Sequence, residues 1–385
     1  RAAAEAALTA AIELGDDSLR ARSALALARS RILVGEYAKG EELLQGALAL
    51  AEVNGDRYTE VGIVGNLGRV YLLSGRLAEA RAAFEREVAL ARELPDRRLE
   101  CRALGYLSNL LLSQNEHDEA LDYLEREMAI SQEIGFRESE ITASFGLGMV
   151  RLWRGEHGQA GKHLKHQLSI TRDLAHGGAL AHFGLVQYWY ECGQLDKAEH
   201  HLQLAMDRAR AANLRHFVAY LHLYDGEIKR ARGEHADALA SFREALAAST
   251  EVGAQMTTAE SAFAIGRSMI ETGDTDGART FLNQSRELVV ELKLAAPGPL
   301  PAAYLATLGD EDASSIPYEP MGRSSGWVEL HLVLHRLGRG TFHLTRAGLM
   351  LERMSSHLDD DEREQFWSSY PNAREYKRIA SLSKR

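Results

Sequence analysis

Only two cysteines occur in 385 residues, Cys101 and Cys192. So distant a pair cannot lace a disulfide framework or fill a cysteine-rich zinc site, and it fits a reducing compartment, which places the chain in the cytoplasm. Proline is scarce, at 7 residues, and with 45% hydrophobic and 26% charged residues the composition is that of a folded chain rather than a disordered one. No stretch approaches the roughly 18 uninterrupted apolar residues of a membrane span. The opening Arg1-Ala2-Ala3-Ala4-Glu5 lacks the charged-then-apolar pattern of a secretory leader. Basic charge is in deficit: 45 Lys and Arg against 55 Asp and Glu leave a formal net charge of −10, so neither nucleic acid nor a membrane is expected as a partner.

What the chain does contain is a repeat. A turn residue returns at Gly35, Gly75, Asn115, Gly155, Gly193, Gly233 and Gly273, with steps of 40, 40, 40, 38, 40 and 40 residues. Five positions past each anchor stands a small residue: Gly40, Ala80, Ala120, Ala160, Ala198, Ala238 and Ala278. Four further on stands a bulky one: Leu44, Phe84, Leu124, Leu164, Leu202, Phe242 and Leu282. Seven before the anchor another small residue recurs, as Ala28, Gly68, Ser108, Gly148, Gly226 and Gly266, with Val186 the exception. Small residues let two helices approach closely and the bulky one fills the groove beside them, so each unit reads as helix, turn, helix. The expected fold class is all-α.

This layout resembles the tetratricopeptide repeat family, best at Gly68, Tyr71, Gly75, Ala80 and Phe84. The family unit is ~34 residues, and the longer period here is similar to a ~40-residue variant. The resemblance implies a right-handed superhelical solenoid whose first helices line a concave groove. It also implies kinship with the C-terminal arrays of large bacterial signalling proteins that carry a kinase or a STAND-type ATPase upstream. Residues 1–17 are expected to be the second helix of a truncated preceding repeat, residues 18–294 seven repeats, residues 295–325 a Pro-rich linker with a short helix near Ala302 to Leu308, and residues 326–385 a degenerate eighth repeat with capping helices.

Signs of catalysis are few. Gly155 to His163 is a near miss to a phosphate loop, but it has the wrong spacing, no hydroxyl for magnesium and helical neighbours, and reads as a repeat turn. Gly62, Gly65 and Gly68 lie within a first helix, where small residues serve packing rather than a dinucleotide. His331 and His335 are four apart but lack the Glu of a zinc protease, and they read as surface histidines, as do His200 and His201. No enzyme, cofactor, metal site or catalytic residue is expected.

The repeat register sharpens one expectation, because positions at a fixed offset on the first helices face the same groove. From the resemblance, its N-terminal third would offer Arg22, Arg29, Asn66, Arg69, Arg102 and Asn109, a set able to grip carboxylates and extended backbone. Its middle would offer Phe145, Trp153, Phe183, Tyr190 and Tyr220 as apolar anchors, its far end the acidic Glu191, Glu227 and Glu271, and Gln187 and Arg267 stand at the same offset as Arg69. The expected function is a protein-interaction scaffold that binds a peptide segment or a partner domain, as the regulatory or sensor part of a bacterial signalling protein. The alternative is a sensor whose superhelix changes curvature on binding a peptide or small ligand. The Pro-rich segment is long enough to fold back and occupy the groove itself.

Overall fold

The structure, a computed structural model, describes residues 2–34, 36–114, 116–171, 175–292, 294, 297–316 and 324–382. The anchors Gly35 and Asn115, and Pro317 and Pro320, lie outside the described residues. Among the described residues all regular structure is helical. The chain forms two compact units, Arg1–Gly146 and Leu147–Arg385.

The first unit contains α1 (Ala2–Leu14), α2 (Asp17–Leu33), α3 (Tyr37–Asn54), α4 (Arg57–Leu73), α5 (Leu77–Arg92), α6 (Arg97–Ser113), α7 (His117–Glu133) and most of α8 (Arg137–Trp153). From α1 to α7 each helix packs on the next, and α4 also touches both α2 and α6. The first helices of successive repeats thus lie side by side and share one face. Asp16, Asp56 and Asp96 start α2, α4 and α6 by accepting hydrogen bonds from the backbone N–H groups of Leu19, Thr59 and Arg98.

The second unit continues with α9 (His157–Thr171), α10 (Ala175–Glu191), α11 (Leu195–Ala211), α12 (Arg215–Arg232), α13 (His235–Glu251), α14 (Gln255–Thr272) and α15 (Thr275–Leu292). After these come α16 (Leu300–Thr307), α17 (Ser324–Arg336), α18 (Thr341–Ser355), α19 (Asp360–Ser369) and α20 (Pro371–Leu382). Within the Pro-rich segment, α16 buries Leu300, Ala303, Tyr304 and Leu305 in one cluster with Phe263, Leu330 and Val333, so this part is core rather than spacer.

The close approach inferred from the small and bulky positions is visible in contact geometry. A β-carbon added at Gly68 would stand 2.5 Å from the Phe84 ring, one at Gly148 would stand 2.6 Å from Leu164, and one at Gly266 would stand 2.7 Å from Leu282. Each pair joins the first and second helix of one repeat. Gly226 on α12 meets the fully buried Phe242 ring on α13 in the same way. The anchors Gly75, Gly155, Gly193, Gly233 and Gly273 all have φ between 71° and 91°, the left-handed conformation that ends a helix without a Cβ clash.

These contacts separate two kinds of helical glycine. Gly226→Ala forces the Phe242 ring to shift and is expected to lower unfolding stability by about 1–3 kcal/mol. Gly46, exposed within α3 with open space beside it, has no such neighbour, and Gly46→Ala is expected to raise stability by about 0.5–1 kcal/mol. Urea unfolding of the two variants beside the parent checks both signs.

Candidate functional site

In the first unit the shared face of α2, α4 and α6 gathers Arg29, Arg69 and Arg102. None of the three forms an ion pair among the described residues, and Arg69 reaches only the Asn66 side-chain oxygen, at 3.4 Å. Asn66 is itself buried and donates to the Gly62 carbonyl at 2.7 Å. The Arg29 guanidinium is held below its ordinary pKa by partial burial first, and then by the positive charges of Arg102 and Arg69. A β-carbon at Gly62 would stand 3.5 Å from Arg29 Nη2, so this glycine keeps the path of the side chain clear. Arg29 and Asn109 are exposed, and Arg69 and Arg102 are half-buried. Arg22 is differently used: it pairs with Asp56 at 2.9 Å and braces the start of α4.

Beneath this face lies a carboxyl group that sequence reasoning missed. Glu87 of α5 is 1% exposed and fills the space left by Gly65, with Oε2 unpartnered. Burial pushes its pKa up to about 7, against the pull of Arg102 and Arg69. Forty residues on, Glu127 repeats the arrangement beside Gly105, accepts a 3.0 Å hydrogen bond from the Thr142 hydroxyl and is pushed up by burial to about 8. The available signal was the coincidence of Gly65 and Gly105 with acidic residues at one offset on the second helix.

In the second unit the structure differs from an open groove. Phe183 is buried edge-on to Phe217, Tyr220 and Tyr224 at 5.0 to 5.7 Å, and Gln187 is also buried. Tyr190 is buried and donates to Glu227 at 3.0 Å. Arg267, 4% exposed, binds Glu227 and, at 3.1 Å, Glu329 of α17. The two arginines Arg267 and Arg230 outweigh burial and hold the Glu227 carboxyl down at about 2. Trp153 is half-buried, and Phe145, in the first unit, is half-buried as well.

The chain's own C-terminal helices supply part of this burial, at Tyr190 and Arg267. Tyr370, 1% exposed, sits edge-on to Tyr190 at 6.1 Å. Ser325 donates to Glu191 at 2.9 Å, Arg374 to the Ala231 carbonyl at 2.9 Å, and Gln194 to Gln365 at 2.8 Å. At Gly193 a β-carbon would stand 2.9 Å from the Phe366 Cα, so this turn glycine also admits a neighbouring backbone. Self-occupation thus extends over much of the inner side of this unit, and Phe183, Gln187, Tyr190, Glu227 and Arg267 are core here rather than open surface.

His200 is exposed, as expected, but other histidines are more buried than surface residues would be. His331 is 1% exposed and its Nδ1 lies 2.7 Å from Nδ1 of His343, whereas His335 faces the Gly340 carbonyl at 3.1 Å. His182 and His201 form a second such pair at 2.9 Å. Among the described residues no group of three or more His, Cys, Asp or Glu could hold a metal ion, and no helix is long and apolar enough to cross a membrane.

Residues 60–133 and 218–289 match the tetratricopeptide repeat. No curated protein matches the chain by sequence. Among solved structures the fold is similar to the apo form of RapI, with a TM-score of 0.61 and 13% identity over 71% of this chain and 99% of that one. It is similar to a Rap protein complexed with competence and sporulation factor, with a TM-score of 0.59 and 16% identity over 95% and 98% of the two chains. It is also similar to PH0952 of Pyrococcus horikoshii, a signal transduction ATPase with numerous domains and a tetratricopeptide repeat sensor, at 0.53 and 14% identity. That match takes in 92% of this chain and 50% of the other, so the chain spans about half the length of that protein. At these identities the likeness is one of fold.

The buried titratable groups give the two units opposite pH behaviour. Glu87 and Glu127 bind protons more tightly folded than unfolded, so their contribution is present below the ordinary value of 4.5 and is lost as pH rises to about 8. His182, His201 and His331, lowered by burial to about 4, act in the reverse sense and cost stability as pH falls from 6.5. Hydrogen exchange is expected to show residues 1–146 less protected at pH 8 than at pH 6, and residues 147–385 less protected at pH 5 than at pH 7. Glu87→Gln with Glu127→Gln should abolish the first loss and leave the second.

Proposed function

We propose that this chain, which carries tetratricopeptide repeats over residues 60–133 and 218–289, is a protein-interaction scaffold whose recognition surface is the inner face of the first unit. One observation carries this: Arg29, Arg69 and Arg102 converge there without an ion pair among the described residues, in a chain of net charge −10. Guanidinium groups left without internal counter-ions bind carboxylates bidentately at little cost, since no existing pair must be broken. Asn109 beside them and Phe145 further along add an amide and an apolar anchor for an extended segment. The fitting partner is a peptide segment or domain surface rich in Asp and Glu.

The Rap neighbour complexed with competence and sporulation factor, and the neighbour with a repeat sensor on a switch ATPase, support a regulatory or sensor role in a bacterial signalling protein. Two free, buried cysteines suit the cytoplasm. In the second unit the tail lies where a partner would otherwise bind, which favours the scaffold reading over a groove that binds along its whole length. A sensor that changes curvature on binding a ligand is the second reading.

Immobilised residues 1–385, the variant Arg69→Glu with Arg102→Glu, and the charge-matched control Lys162→Glu with Arg243→Glu are to be compared in retention of partners from lysate. Circular dichroism must first show equal folding. The expected outcome is a partner held by parent and control, lost from the arginine variant, and released by raising salt from about 0.1 to 0.5 M. Equal retention by all three would remove the arginine face from the site.

A further inference from the structure

The tail does not fill the second unit completely. Between α10, α12 and α14 on one side and α16, α17 and α20 on the other remains a cavity of about 130 Å³. For scale, an apolar cavity of about 150 Å³ accommodates a benzene ring. Rings of Tyr190, Tyr224, Phe263, Trp327 and Tyr370 form much of its wall, a lining that suits a flat guest stacked or set edge-on.

The charges in this wall are already answered from within the chain. Glu227 accepts from Tyr190, Arg230 and Arg267, and Glu329 accepts from Arg267 and Tyr304. Glu191 accepts from Ser325 and meets His157 at 3.0 Å, and Glu260 is engaged as well. Arg230 is shared between Glu227 and Glu271, and Arg267 between Glu227 and Glu329. A charged guest of either sign would have to displace one of these partners inside a buried network, which leaves a charge uncompensated. A neutral guest leaves the network intact.

Two hydrogen-bond donors, by contrast, are unmet. Arg267 spends both Nη groups on carboxylates, and its Nε is buried with no acceptor. Trp327 Nε1 is buried in the same condition, and both residues belong to the wall. A purely apolar guest would seal these donors away from water without a partner, whereas an acceptor atom on the guest satisfies them.

We infer that this cavity binds a small neutral molecule built on one flat ring that carries a hydrogen-bond-accepting oxygen. The ring lies among the aromatic side chains, and the oxygen accepts from Trp327 Nε1, Arg267 Nε or both. Since Arg267 stands on α14 and Trp327 on α17, the guest links the repeats to the tail. This inference is independent of the arginine face of the first unit.

Pyridine N-oxide is the probe, titrated into residues 1–385 by calorimetry. Two molecules of the same shape accompany it: toluene, which is neutral without the acceptor, and N-methylpyridinium, which is a cation without it. The expected dissociation constant for the N-oxide is about 1 mM, with a preference of about tenfold over each of the others. By NMR, the indole N–H signal of Trp327, one of 4 tryptophans and identified by its loss in Trp327→Phe, should move with the same constant. Trp327→Phe should also bring the N-oxide down towards the affinity of toluene. No saturable binding of the N-oxide up to about 10 mM, equal or tighter binding of toluene or N-methylpyridinium, or a Trp327 signal that stays still at saturation would each overturn the inference. The order of the three affinities in the unmodified chain decides the matter even where the variant fails to fold.

Discussion

The structure depends on the close approach of the two helices of each repeat. A helix pair can bring its axes close only where one partner lacks a side chain, and the vacated space must then be filled or the apolar stripe stays wet. Gly68 with Phe84, Gly148 with Leu164, and Gly266 with Leu282 solve this in the same way, a ring or branched side chain laid over a bare backbone. Once the pair is locked, the first helix has one face against its own partner and another against the neighbouring repeats. What remains is the inner face, and it is the same set of offsets in every repeat.

The same volume rule explains the buried acids. At a neighbouring offset the first helix carries Phe183, Leu223 and Phe263, and the second helix answers with Ala205, Ala245 and Ser285. In two repeats of the first unit the bulk moves to the other helix: Gly65 and Gly105 stand opposite Glu87 and Glu127. One long side chain still fills each layer, but it ends in a carboxyl group. Burial favours its protonated form, so packing is retained without a buried charge. For Glu87, Arg69 and Arg102 on the face above oppose that shift, which ties a core residue electrostatically to the surface.

Turns, period and helix pairing were legible because they are local. The left-handed anchors at Gly75, Gly155, Gly193, Gly233 and Gly273 follow from residue type alone, as does the spacing that sets small against bulky residues. The second turn of each period, with Gly15, Gly55, Gly135, Asn213 and Gly253 at positive φ, was there to be read at the same period but stands out less, since Pro95 and Asn213 interrupt the glycines. Other features depend on contacts between residues distant in sequence. His331 and His335 share a helix face by spacing, yet the partner of His331 is His343 on the following helix. That Tyr190 is covered by Tyr370, or that Arg374 reaches the Ala231 carbonyl, has no periodic signature. Facing inward was therefore predictable for Tyr190 and Arg267, while their burial against Tyr370 and Glu329 was not.

Two arginines at one repeat position show why one inner face is available and the other is not. Arg69 and Arg267 both lie six residues before an anchor. Arg267 is held by Glu227 and Glu329, buried with them, and stacked 5.2 Å from the Phe263 ring. Its charge is fully answered from within the chain, and an incoming carboxylate would have to displace an existing partner inside a low-dielectric site. Among the described residues Arg69 has only a long hydrogen bond to Asn66 and stays half-exposed, so a carboxylate reaching it would displace water rather than a salt bridge. The same side chain at the same place in the repeat is thus core cement in one unit and a half-exposed cation in the other, and the difference lies in whether the fold brings a carboxylate to it.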